Sequence, residues 1–339
     1  MNTLVLGGSG YFGTVLVREL LLRSFDVRVL DLIDIPDRPP EVEFVHGSIL
    51  DSDLVRETLD GIDIVFNTVA QVPISKNRKN LTEVNVVGTQ RVLSECRKAD
   101  ISKFVHLSSS AVFGRPQSNP VSTQTIPAPR EHYGRTKYEG ELLCQYEVSQ
   151  GRDISIIRPR TVLGPGRMGI FSLLFDWIAD GVDVFVLGAG DNVYQFVHAT
   201  DLADACIRAS QIDGPGIFNI GTDRFGTMRQ SLEALTKHAQ TGSKVKELPR
   251  RPTEAAMSLL SALHLAPIAP YHTLMYGDSF WFDIEDSKTT LRWQPKFSNE
   301  QMLIESYESY IASRDEPKYG SGHSVPLNQG VLRLIKHFL

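Results

Sequence analysis

The chain has 339 residues, of which 42% are hydrophobic and 22% charged, an ordinary globular composition that excludes disorder and fibrous repeats. At roughly 100–200 residues per domain, this length fits one large unit or two fused ones. A formal net charge of −5 and a pI of about 6.0 exclude the basic footprint of a nucleic-acid binder.

In chain order, Thr3 to Leu6 reads as a buried strand and Tyr11 to Arg23 as an amphipathic helix. Strand patterns follow at Val27 to Leu30, Glu43 to Val45 and Asp63 to Phe66. Asn85 to Lys98 is helical, Phe104 to Leu107 a fifth strand, Arg135 to Ser149 helical again, and Ile154 to Ile157 a sixth strand. Strands alternating with helices predict an α/β fold, a Rossmann-like doubly wound parallel sheet. Apolar strands with little alternation predict burial on both faces.

After Arg158 the pattern loosens and Gly/Pro punctuation increases. The expected organisation is a nucleotide-binding domain over 1–160, with segments around 194–221 returning to it. A smaller substrate domain over 161–314 and a linker and tail over 315–339 complete it. The run from Ala255 to Pro270 reads as small-domain core or as an apolar lid. Gln329 to Leu339 reads as an amphipathic helix that packs on the protein or a partner, or touches a membrane surface.

Gly7, Gly10 and Gly13 stand between the first strand and the first helix. That composition suits a tight turn, close approach of a pyrophosphate and close helix–strand packing. The helix N-terminus adds free N–H groups and partial positive charge. Asp31 ends the second strand, where a carboxylate accepts both hydroxyls of an adenosine ribose and repels a 2′-phosphate. NAD is therefore the expected cofactor rather than NADP, with Arg28 and Arg38 not placeable from sequence.

Tyr133 and Lys137 lie at i and i+4, one helix face. The spacing alone recurs by chance. Its context is Ser108-Ser109-Ser110, at the end of the fifth strand, where open α/β sheets bind ligands. Hydride transfer at an alcohol carbon needs an acid–base partner. An ammonium ~4 Å from a phenol contributes about 4 kcal/mol at an effective dielectric near 20. Lys137 is thus expected to bring Tyr133 near ~7. A serine hydroxyl would orient the substrate oxygen. The bland alternatives are a capping serine and a half-buried surface tyrosine.

With Asn85-Val86-Val87-Gly88-Thr89, Ser108 to Gly114, Tyr133-x-x-x-Lys137, Arg158-Pro159, Phe196-Val197-His198 to Ala205, and Phe218 to Gly221, the chain resembles the extended short-chain dehydrogenase/reductases. This is the NAD-dependent epimerase/dehydratase superfamily, and the resemblance spans about residues 1–312. It implies Ser109, Tyr133 and Lys137 as catalytic residues. It implies cofactor contacts from Gly7, Gly10, Tyr11, Phe12, Gly13, Asp31, Ser48, Ile49, Ala70, Asn85, Tyr133 and Lys137. Ser48 stands where an Asp is usual. A homodimer through helices around 85–98 and 135–149 is also implied.

Departures from the family pattern narrow the chemistry. Ser110 and Ala111 replace the Asp-Glu pair of 4,6-dehydratases, which argues against dehydration. Thr161 and Tyr194 replace the Asn and Arg that grip a nucleotide-sugar diphosphate. Arg160 and Arg167 are candidates to compensate, against a competing reading of each as a solvated loop cation. Asn192 to Val197 resembles the 3β-hydroxysteroid dehydrogenase branch. The expectation is an epimerase-type enzyme on a nucleotide-linked sugar. The alternatives are a dehydrogenase or ketoreductase on a bulky apolar alcohol, and a non-catalytic NAD sensor. Three scattered cysteines (Cys96, Cys144, Cys206) suit a reducing compartment. No metal is expected, no run reaches the ~18 apolar residues of a membrane span, and no secretory signal is evident, so a soluble cytoplasmic protein is expected.

Overall fold

The computed structural model describes residues 1–72, 78–262 and 277–316, without the side chains of 78 and 257–262. Its central sheet is built from β1 (Asn2–Leu6), β2 (Asp26–Asp31), β3 (Glu43–His46), β4 (Ile64–Asn67), β5 (Lys103–Leu107) and β6 (Ile154–Pro159). A seventh strand, Gly216–Ile220, joins the edge at β6. The spatial order is Gly216–Ile220, β6, β5, β4, β1, β2, β3, with every pairing parallel. Every residue of β4 and β6 is buried, as expected of strands covered on both faces. The order reverses between β1 and β4. A crevice opens there beyond the carboxyl ends of the strands.

Helix α1 (Tyr11–Leu21) buries Phe12, Gly13, Leu16, Val17 and Leu20, the spacing of one helical face. They share a core with Leu202, Ala203, Cys206 and Ile207 of the helix Ala199–Ser210. The helix Ala199–Ser210 thus packs in the α1 layer, and Gly216–Ile220 extends the sheet at β6. Phe196–His198 instead pairs with Thr161–Leu163 outside the main sheet.

Helix α2 (Ser52–Thr58) is absent from the sequence reading. Its cap is local, since the Asp51 carboxylate accepts from the N–H groups of Asp53 and Leu54. It buries only Val55 and Thr58, too little for a periodic signal. The helix expected from Asn85 starts earlier. Helix α3 (Arg78–Thr82) runs through a π-helical turn, Glu83–Gly88, into α4 (Thr89–Lys98). Helix α5 (His132–Ser149) follows β5.

A second core joins Phe175 and Ile178 to Leu232 and Leu235, and to Met302, Leu303 and Tyr307. These residues come from the helices Ile170–Ala179, Met228–Ala239 and Asn299–Ala312. The side chains of the supposed lid beyond residue 256, and the tail helix from Gln329, lie outside the described residues. Among the described residues no helix is long and apolar enough to cross a membrane, and no three His, Cys, Asp or Glu cluster as a metal site. The three cysteines are buried free thiols.

Candidate active site

The glycine loop leaves β1 at Gly7, whose φ of +81° is a left-handed conformation that favours glycine. The Gly10 N–H donates to the Gly7 carbonyl at 3.1 Å. A Cβ on Gly13 would lie 2.1 Å from that same oxygen, so α1 reaches the loop only as glycine. No side chain caps α1. Its first N–H groups and the bare glycine backbone therefore form a cradle of the kind a pyrophosphate fills.

Asp31 closes the cradle. Its carboxylate accepts from the N–H of Ser9 at 3.0 Å, Leu32 at 2.7 Å and Ile33 at 3.3 Å. Burial pushes its carboxyl above the usual range and these three bonds pull it back. Arg28 is held by Glu43 at 2.7 Å, and Arg38 by Asp34 at 2.8 Å. Neither neighbouring cation is left to meet a 2′-phosphate. Asp31→Ser is expected to raise the KM for NAD by roughly tenfold, the size of a charge-assisted hydrogen bond, and to narrow the preference over NADP. Parallel titrations with the two cofactors check this, and an unchanged ratio would refute the role.

The expected catalytic and cofactor residues separate into two groups. Gly7, Gly10, Tyr11, Phe12, Gly13, Ala70, Ser109, Tyr133 and Lys137 all line one cavity of about 430 Å³. Asp31, Ser48, Ile49 and Asn85 are not part of its wall. The Ser48 hydroxyl accepts from the Leu50 N–H. Ile49 is buried, its Cδ1 2.5 Å from where a Gly88 Cβ would stand. Asn85 accepts from the Gln71 N–H at 2.8 Å, and donates to the Gln71 carbonyl and to Thr136. It fastens the loop after β4 to α5 from behind the cavity, and sits in the π-helical turn.

Ser109, Tyr133 and Lys137 converge. Ser109 follows β5 and shares a hydrogen bond with the Tyr133 side chain. Its hydroxyl also accepts from the Ala111 N–H at 3.2 Å, so the capping role and the site role coexist. Glu131 caps α5, accepting from the N–H groups of Tyr133 and Gly134, and so fixes where Tyr133 starts. Lys137 donates to the Leu107 carbonyl at 2.6 Å. Burial depresses its ammonium to about 8, opposed by the Glu141 charge. Tyr133 departs from expectation. Burial pushes its phenol up to about 12, with Glu131 adding to the shift. The Ser109 bond and the Arg167 charge lower it only in part. Lys137, bonded to the Leu107 carbonyl, is not among the groups that shift it.

Beneath this group lies a buried network that the sequence reading missed. Arg158 donates twice to Glu141, at 2.9 and 2.6 Å, and Ser108 donates to the same carboxylate at 2.5 Å. Arg158 and Glu141 side chains are 2% and 0% exposed.

Beyond Tyr133 the cavity wall turns apolar, with Phe171, Leu174, Phe196, Met228, Leu232 and Leu303. Thr161 and Tyr194, at the positions of the missing diphosphate grips, bond each other through their hydroxyls at 2.8 Å. Arg160 and Arg167 also line the cavity and are 1% and 5% exposed, which rules out solvated loop cations. The Arg160 guanidinium carbon sits 3.8 Å from the Phe280 ring centre, 4.7 Å from Tyr194 and 5.6 Å from Phe282. None of its three side-chain nitrogens has a hydrogen-bond partner among the described residues. A cation–π contact worth about 2 kcal/mol falls short of the several kcal/mol it costs to desolvate an ion.

Residues 3–221 match the model of the NAD dependent epimerase/dehydratase family. The sterol demethylase protein B of Methylococcus capsulatus is 32% identical over 253 residues, covering 70% of this chain and 75% of that protein. The UDP-glucose 4-epimerase of Mycolicibacterium smegmatis is 31% identical over 242 residues, covering 66% and 77%. The solved UDP-glucuronic acid 4-epimerase of Bacillus cereus, in complex with NAD, superposes with a TM-score of 0.76 at 23% identity, covering 92% of this chain and 99% of that one. The glycine cradle and the match over 3–221 agree: the chain belongs to the NAD-dependent epimerase/dehydratase family, and its cofactor is NAD.

Proposed function

We propose that the protein transfers hydride at a secondary alcohol or ketone carbon carried on a largely apolar skeleton. The observation that carries this reading is the apolar wall directly continuous with Ser109 and Tyr133. Bound NAD supplies the hydride acceptor or donor. The chain's own residues do the rest. Ser109 orients the substrate oxygen, and Tyr133 exchanges the proton with it. Lys137 is held at Leu107 beside the cofactor end of the cavity. A phenol pushed up to about 12 is protonated at neutral pH. That form suits proton donation to a carbonyl oxygen as hydride arrives at its carbon, the reductive direction. Residues 161–314 supply most of the apolar wall and act as the substrate domain.

The second reading, an epimerase-type reaction on a nucleotide-linked sugar, is favoured by Arg160 and Arg167, two buried cations in the cavity wall. A homodimer is supported by Leu142 and Tyr146, one turn apart on α5 and 46% and 59% exposed. The deciding measurement pairs cofactor content with turnover. Purified protein is denatured and its released NAD quantified. Intact protein is then given NAD with a 3-hydroxysteroid panel, or UDP-glucose alone. Steadily accumulating NADH with a hydroxysteroid, from protein that exchanges its cofactor, is the expected result. Retained NAD with interconversion of UDP-glucose and UDP-galactose and no net NADH would overturn it.

A further inference from the structure

The described lining of the cavity carries cations and no carboxylate. Among the described residues its ionic lining is Lys137, Arg160 and Arg167, with no Asp or Glu. The dinucleotide brings one pyrophosphate, and it belongs at the glycine loop. Arg167 lies towards that end, its guanidinium 5.5 Å from the Tyr11 ring. Arg160 is stacked on Tyr194 and Phe280. It is 1% exposed, and no described carboxylate partners it. The residues outside the described set contain no Asp or Glu to serve as its counter-ion. A fixed cation sealed among aromatic rings with every N–H unused is a poor structural element. It is a good receptor, because an arriving anion meets a donor already desolvated and oriented. The Thr161 and Tyr194 hydroxyls line the same stretch of wall and bond each other, so two more polar groups border the spot.

We propose that Arg160 is the receptor for an anionic group of the substrate, a carboxylate or phosphate carried on the molecule whose alcohol or ketone carbon faces Tyr133. The inference rests on the cavity being the substrate site and narrows the substrate to an amphipathic anion. The shared chemistry has two sources: an acid group on an apolar skeleton, or the diphosphate of a nucleotide.

The test uses full-length protein loaded with NAD. Binding of octanoate, octanol and UDP is measured by calorimetry on the natural protein, Arg160→Met and Arg160→Lys. The expected result is that octanoate or UDP loses about tenfold or more in affinity in Arg160→Met, one charge-assisted bond, and recovers part of it in Arg160→Lys. Octanol should bind both proteins alike. Loss confined to octanoate assigns the anion to an apolar acid. Loss confined to UDP keeps the receptor but overturns the apolar-skeleton reading. Equal binding of all three probes, within about twofold, in natural and Arg160→Met protein overturns the receptor and leaves the apolar reading standing. Thermal midpoints provide the control. A receptor predicts that Arg160→Met is at least as stable as the natural protein, because it sheds an unpaired buried charge. A marked fall in both variants would make Arg160 a scaffold residue and overturn the proposal.

Discussion

Tyr133→Phe is expected to lower turnover by about 10²–10⁴-fold, the range of a lost general acid, while NAD binding and the folded state persist. The substitution removes one oxygen from a phenol whose hydroxyl shares a hydrogen bond with the Ser109 side chain. The ring stays at the mouth of α5, and the Glu131 cap bonds backbone N–H groups rather than the ring. The variant therefore isolates proton transfer from architecture. Steady-state rates together with NAD titration read the two effects separately. Full activity would refute the assignment of Tyr133. Absent activity in the natural protein, with tight NAD binding, would instead favour the sensor reading. The pH profile carries a second check. A buried phenol raised to about 12 holds its proton throughout the neutral range. Reduction should therefore show no loss of rate between pH 6 and about 8 from this group. A decline centred near ~7 would mean that the bound cofactor restores the stronger pull first expected of Lys137.

The parts of the site legible in the sequence are those where backbone geometry dictates composition. Gly7 needs a positive φ and Gly13 abuts a carbonyl oxygen, so both positions demand glycine whatever surrounds them. Strands such as Ile64–Asn67 are legible because burial on both faces leaves a continuous apolar run. Tyr133 and Lys137 became readable only with the serines after β5, since a four-residue spacing carries little information alone. Arg158, Pro159 and Arg160 show where reading fails. Arg160, beside Gly/Pro-rich sequence, is open to a solvated reading, and Arg158 enters only as part of a motif. Their burial depends on Glu141 from α5 for one, and on rings at 194, 280 and 282 for the other. Those partners are remote in sequence, and no local pattern points to them. Asn85 fails for a related reason. Its motif marks the position, but only the fold shows its amide spent on Gln71 and Thr136.

Glu141→Ala is expected to destabilise the protein by about 3–5 kcal/mol, the cost of stripping one partner from a buried ion pair. Against a typical total of about 5–15 kcal/mol, that is a large share. The carboxylate takes two bonds from Arg158 and one from Ser108, at a position with no exposed surface. Removing it leaves a guanidinium stacked on Phe113, with no other carboxylate in ion-pair contact among the described residues. The same carboxylate raises the Lys137 ammonium against burial, so its loss should also make that lysine easier to neutralise. Denaturant titration reads the first effect. A loss below about 1 kcal/mol would show that water reaches the pair and screens it. Glu141→Leu combined with Arg158→Met separates charge from shape. If the unpaired cation is the cause, the double variant regains most of the stability that the single variant loses, because no ion remains buried. Its activity should stay low, since Ser108, beside the proposed catalytic Ser109, has lost its acceptor and Lys137 a compensating charge. Stability and turnover would then part company at one carboxylate, which supports the serine-bearing strand end and the lysine of α5 from a single buried point.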